Sequence, residues 1–172
     1  ILNSNPQGGN GSGARMEIAV ADEGDPIPSF ILEDQNGVPI STQDAMAGKG
    51  SVLLFLPAAP PGPAMSAAVA WTKRNQPLFT SSRVPLYVVS PWTREQNVAF
   101  ADEQDVTVPV LADPESRLRK AFGFPAAGNA VAVLGTNGLV QKIEYGLAEA
   151  SELVVAAETL PEKEEESIFL PF

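Results

Sequence analysis

Few side chains in this sequence could carry out catalysis, and their types narrow the chemistry sharply. The 172 residues contain no cysteine and no histidine. That excludes thiol catalysis, disulfides, zinc sites of the usual ligand types, and any Ser-His or Cys-His pair. The side chain that ordinarily titrates near neutral pH is missing as well. Two groups remain. Asp22, Glu23 and Asp25 cluster early in the chain. As general acids or bases they would need a pocket and shifted pKa values; as solvated carboxylates they need neither, which is the expectation. Ser66 has no His partner and no obvious Lys base, so it reads as a residue at the start of a helix. No catalytic, cofactor-binding or metal-ligating residue is assigned.

The elements that would position a site belong to a chain of ordinary globular composition, 44% hydrophobic and 19% charged. Its length suits one domain plus some tail, with a core large enough to need no metal or disulfide. With 11 basic and 21 acidic residues the net charge is −10. A polyanion is repelled at long range, which argues against nucleic acid as a partner. No apolar run is long enough to span a bilayer. The sequence opens Ile-Leu-Asn without Met. Either a targeting peptide has been removed or the numbering starts inside a longer precursor; processing is the expectation.

Three regions are expected. Residues 1–23 are a Gly/Asn-rich extension that cannot bury enough apolar surface to order itself, so a partner surface is expected to hold it. Residues 24–160 are the folded domain. Residues 161–172 are an acidic run, Glu162 to Glu166, followed by the apolar Ile168, Phe169, Leu170 and Phe172, which are expected to dock on something.

Within the domain, Phe30–Leu32 and Val38–Ile40 flank a Gln35-Asn36-Gly37 turn and read as a hairpin. Ser51–Leu56 is a continuous apolar run, as in a buried central strand. A helix follows over about 65–79, then a strand at Val84–Val89. Thr93 with Gln96 forms a capping-box pattern for a helix to Glu103. Val108–Leu111 is a further strand, and Asp113-Pro114 reads as an N-cap with proline at the first helical position, for a helix over Glu115–Phe122. A hairpin around Thr136-Asn137-Gly138 joins Ala130–Leu134 to Leu139–Tyr145, and a helix over Ala148–Leu160 closes the domain. The order predicts a three-layer α/β sandwich with a mixed central sheet. Trp71 is expected in the core. Trp92, in Pro91-Trp92-Thr93 at the carboxyl edge of the sheet, is a candidate partner anchor.

The segments Gly24–Gly37 (with Pro28-Ser29-Phe30 leading into a Leu32-Glu33-Asp34-Gln35-Asn36-Gly37 hairpin), Gly48–Pro57, Leu111–Pro114 and Leu118–Gly123, taken in order and spacing, resemble the thioredoxin-like peroxiredoxins. The similarity is specifically to the peroxiredoxin Q / bacterioferritin-comigratory group and covers roughly residues 24–160. In that family a strand and loop read Pro, three residues, Thr or Ser, two residues, Cys. Pro57 matches, but Pro61 stands at the Thr position and Ala64 at the peroxidatic Cys. The resolving Cys that often lies five residues later is Val69. The Arg that the family supplies from the strand near the end of the fold aligns with Asn129, and no Arg lies near it in any register. An engineered Cys→Ala change would not account for Pro61 or Asn129, so natural loss of the site is the better reading.

The resemblance therefore implies a scaffold without its chemistry: no enzyme and no cofactor. The expected role is a structural or accessory subunit of a larger complex, contacted through both tails. The alternative is a non-catalytic module that binds a ligand or redox partner in the vestigial peroxide pocket. The loop 58–63, with three prolines, reads equally as a rigid cover over that pocket or as a preorganised docking ridge. By resemblance to plant and algal peroxiredoxin Q, the expected location is the chloroplast, at the periphery of a thylakoid photosynthetic complex; a bacterial origin is also compatible.

Overall fold

The computed structural model describes residues 20–46, 50–58 and 62–158. The expectations for residues 1–19, for the tail after Glu158 and for the loop prolines 60 and 61 lie outside those residues.

The chain alternates strands and helices in the expected order. The hairpin is β1 (Ile31–Glu33) and β2 (Pro39–Ser41), followed by a π-helical turn (Thr42–Met46) that the sequence did not announce. Then come β3 (Ser51–Phe55), α1 (Pro63–Ser82), β4 (Leu86–Ser90), α2 (Arg94–Gln104), β5 (Val110–Ala112), α3 (Arg117–Ala121), β6 (Ala130–Leu134), β7 (Val140–Tyr145) and α4 (Ala150–Glu158). The main sheet has the order β5-β4-β3-β6-β7. β3 runs parallel to β4 and antiparallel to β6, so the sheet is mixed.

β3 is central because every one of its residues can be buried on one face or the other. Side chains alternate along a strand. Val52, Leu54 and Leu56 pack with Ala68, Trp71 and Phe79 of α1 and Leu153 and Ala157 of α4. Leu53 and Phe55 point the opposite way, against Ile27, Ile40, Leu118 and Phe122. The two apolar faces define three layers. Phe55, Phe122 and Phe124 meet with ring centroids 5.0–5.7 Å apart, which pins α3 to the far face. Gly50 immediately precedes β3 at φ +65°, and a Cβ there would stand 2.6 Å from the carbonyl oxygen of Ala157. Glycine is required where α4 crosses so closely.

The capping box at α2 is present. The Gln96 N–H donates to Thr93 Oγ1 at 3.3 Å, and the Thr93 N–H donates back to Gln96 Oε1 at 2.9 Å. Thr93→Ala is expected to destabilise the domain by about 1 kcal/mol, measured by urea unfolding; no shift of the midpoint would show that the box contributes nothing.

Most elements begin or end within one to three residues of expectation, and one helix start differs for a specific reason. Pro114 does not begin a helix. Asp113–Ser116 forms a turn, with the Ser116 N–H on the Asp113 carbonyl at 2.8 Å and Ser116 at φ +57°. α3 starts only at Arg117. The Asp113 carboxylate still satisfies the helix start, accepting from the backbone N–H groups of Arg117, Leu118 and Arg119 at 2.9–3.2 Å. The signal for a capping aspartate was sound; the intervening turn moved the helix it caps.

Candidate functional site

Polar side chains gather at the carboxyl ends of β3, β4 and β5, where ligands bind in α/β folds. Ser90, Asn97, Asp113 and Arg119 are all buried there. Burial of such groups is tolerable only when they are hydrogen-bonded. Ser90 Oγ donates to Asn97 Oδ1 at 2.6 Å, and Asn97 Nδ2 reaches the Val110 carbonyl at 3.4 Å.

Arg119 is the centre of this layer. It is 4% exposed. Its Nε donates to the Pro125 carbonyl at 2.7 Å and Nη2 to the Gly128 carbonyl at 2.9 Å, while Nη1 donates to the Leu56 carbonyl. Burial pushes the guanidinium below its ordinary pKa, and nearby Asp113 pulls it back up. Arginine remains charged under any ordinary condition. One side chain from α3 thus ties the end of β3, just before Pro57, to the loop that leads into β6.

A parallel tie involves the aligned positions. Ala64 is half-buried in the first turn of α1, behind Pro63 at the first helical position. Its carbonyl accepts from Asn129 Nδ2 at 3.0 Å. The Ala58 N–H donates to the Ala126 carbonyl at 2.7 Å. Asn129 Oδ1 is buried and has no hydrogen-bond donor among the described residues. The structure therefore brings Ala64 and Asn129 together as the alignment implied. Val69 lies half-buried further along α1.

Arg119 arrives from a helix, not from the strand on which the family resemblance places its arginine. It is close to the site rim, yet all three nitrogens are committed to carbonyls. What remains between Phe55, Leu56, Ser90, Asp113, Ser116 and Arg119 is a void of about 10 Å³. That is about the space of a single water-sized probe.

The other candidates are structural. The Asp25 carboxylate accepts from the Asp22 N–H at 2.8 Å, and Glu23 Oε2 accepts from the Ile143 N–H of β7 at 2.9 Å. These carboxylates close a turn and cap a sheet edge. Ser66 is exposed on α1. Trp71 is in the core, its Nε1–H on the Ala148 carbonyl at 2.8 Å. Trp92 is half-buried against Phe100, ring centroids 5.2 Å apart, rather than standing free.

Comparison with known proteins agrees with this architecture. The family model described as AhpC/TSA matches residues 23–143. A putative peroxiredoxin of Mycobacterium tuberculosis is 31% identical over 100 residues, covering 58% of this chain and 62% of the relative, so the chain spans under two thirds of that protein's length. A chloroplastic peroxiredoxin Q of Sedum lineare is 28% identical over 132 residues, covering 73% of this chain and 70% of the relative. Among solved structures, a peroxiredoxin Q of Xanthomonas campestris superposes with a TM-score of 0.61 at 19% identity, over 75% of this chain and 89% of that one. Fold and order of elements agree: the chain belongs to the AhpC/TSA family of peroxiredoxins, on a thioredoxin-like fold, and carries no cysteine in its 172 residues.

Proposed function

We propose that this chain is a catalytically silent peroxiredoxin-like domain that serves as an accessory subunit of a larger protein assembly. The observation that carries the reading is the committed rim of the site. Arg119, the one buried cation among the described residues, holds three backbone carbonyls, a methyl group stands where a thiolate would attack, and an amide stands where the family places its arginine. Peroxide reduction needs a thiolate, and nothing here supplies one. Hydrophobic packing maintains the scaffold independently of the site.

In this reading the acidic domain of about 24–160 is the rigid body, and residues 1–23 and 161–172 are the contact segments. The partner is protein rather than nucleic acid, given the net charge of −10. No helix among the described residues is long and apolar enough to cross a membrane. We place the assembly in the chloroplast, at the periphery of a thylakoid photosynthetic complex. Support for the compartment comes from relatives named as chloroplastic peroxiredoxin Q in Sedum lineare and Arabidopsis thaliana. The alternative is a ligand-binding module in the vestigial pocket; each nitrogen of Arg119 already donates to a backbone carbonyl, which leaves a ligand there little from that side chain.

The test is native purification from the source with mass spectrometry of co-migrating proteins. The expected result is stable co-migration with a defined complex. Migration as a lone monomer at both low and high salt would overturn the accessory role.

A further inference from the structure

We propose that a groove at the amino edge of the sheet holds the chain's own apolar segment Ile168–Phe172, reached from the end of α4. The inference concerns the chain by itself and does not rest on the accessory role. A partner that takes this segment must first draw it from the groove.

The groove lies where α1 ends and β4 and β5 begin, at the end of the sheet opposite the Arg119 layer. Its volume is about 340 Å³. The floor is the core itself: Phe79, Val84 and Leu86 are buried there. Pro85, Val108 and Pro109 add half-buried apolar walls. Those walls are braced from two sides. Gln76 Oε1, from α1, accepts from the Thr107 N–H at 2.7 Å. Gln35 donates to the Val108 carbonyl at 3.2 Å and accepts from the Val110 N–H at 2.7 Å. A preformed apolar cleft costs its occupant little reorganisation.

The chain leaves the described residues close to this groove. The Ala157 carbonyl of α4 packs on Gly50, 2.6 Å from where a Cβ would stand. Two residues on, the Val52 N–H donates to the Pro85 carbonyl at 3.0 Å. Strand rise and spacing then put the end of α4 roughly 10–15 Å from the groove wall. Residues 159–167 reach about 30 Å when extended, so they span that gap with slack. The segment they deliver, Ile168-Phe169-Leu170-Pro171-Phe172, carries no charged side chain. Docking removes its large apolar groups from water.

Charge separates this groove from its neighbours. Arg83 stands on its rim, exposed and with no ion-pair partner among the described residues, and no described carboxylate lines it. The residues ahead of the apolar segment, Glu162-Lys163-Glu164-Glu165-Glu166, are net negative and pass Arg83 as the segment enters. The groove between β1 and β5 instead carries Asp113 and Glu115 beside Arg117. The cleft at the start of α4 carries Glu149 beside Arg74. An acidic segment gains less at either place. Apolar contact supplies the docking energy, and the unpaired cation selects the site.

The test is methyl NMR on the intact, isotope-labelled chain. Cross-relaxation peaks are expected from the Ile168 and Leu170 methyls to those of Val84, Leu86 and Val108. Phe169→Asp combined with Leu170→Asp, both beyond α4, is expected to abolish the peaks from Ile168, because a carboxylate cannot enter an apolar floor unpaired. Arg83→Glu, at an exposed position, is expected to weaken docking by about fivefold. In a mixture of labelled and unlabelled chain, isotope-filtered spectra are expected to show no peaks between copies. Absence of the groove peaks in the intact chain, peaks between copies alone, or peaks undiminished in the double variant or in Arg83→Glu would overturn the proposal.

Discussion

Arg119→Ala is expected to destabilise the domain by about 3–5 kcal/mol, the largest effect of any single polar substitution proposed for this chain. The side chain is 4% exposed and donates to the carbonyls of Leu56, Pro125 and Gly128. Truncation leaves those carbonyls without their donor in a dry layer, and leaves the Asp113 carboxylate beside it with less compensating charge. Buried acceptors stripped of a charged donor each lose on the order of 1–3 kcal/mol. Arg119→Lys is expected to recover only part of the loss, because an ammonium is a single compact donor and cannot span carbonyls on two segments as a planar guanidinium does. Urea unfolding followed by tryptophan fluorescence reads both variants. Amide exchange in residues 125–129 should accelerate in each, since that loop is held from one side by Arg119. A loss below about 1 kcal/mol for Arg119→Ala would mean that the guanidinium does not brace the rim.

Restoring the missing nucleophile is expected to restore little. An Ala64→Cys thiol would sit in the first turn of α1, where the helix N-terminus favours the thiolate. Among the described residues, the buried cation near the rim, Arg119, is spent on carbonyls, and Asn129 offers an amide already bonded to the Ala64 carbonyl. The thiol is expected to titrate between about 7 and 8.5, whereas sites with a paired cation go lower. Pro61, at the position of the family's hydroxyl, has neither hydroxyl nor N–H. Losing one preorganised donor to a developing charge costs about 10²–10³ in rate, and here two roles are empty. Peroxide turnover by Ala64→Cys should therefore lie at least about 10³-fold below that of an intact family site. Alkylation rate against pH gives the thiol titration, and thiol-dependent peroxide loss gives the turnover. A thiol titrating near 5, with turnover to match, would show that the site retains its function in everything but sulfur.

Much of this architecture was legible from local pattern. The all-apolar run of β3, the Thr93/Gln96 box and the Asn137-Gly138 turn each depend on a few adjacent residues, and each stands where the sequence placed it. The pairing of Ala64 with Asn129 was legible only through resemblance, because 65 residues separate them. Arg119 was illegible for the same reason. Its bond to Leu56 spans 63 residues, and nothing in Leu118-Arg119-Lys120 marks which basic side chain turns inward. The faint signal was its place between Leu118 and Phe122, the two fully buried anchors of α3. The start of α3 moved because Asp113 can cap at a distance, through a turn that local propensity does not weigh.

The polar layer at the carboxyl edge of the sheet is turned inward: Ser90 and Asn97 bond each other, and Arg119 holds backbone carbonyls.

Thiol-dependent consumption of hydrogen peroxide by the unmodified chain tests the central claim most directly. With dithiothreitol or a thioredoxin system as donor, the account predicts a rate equal to that of the donor alone at every protein concentration. A rate that rises in proportion to protein, and saturates with peroxide, would contradict it.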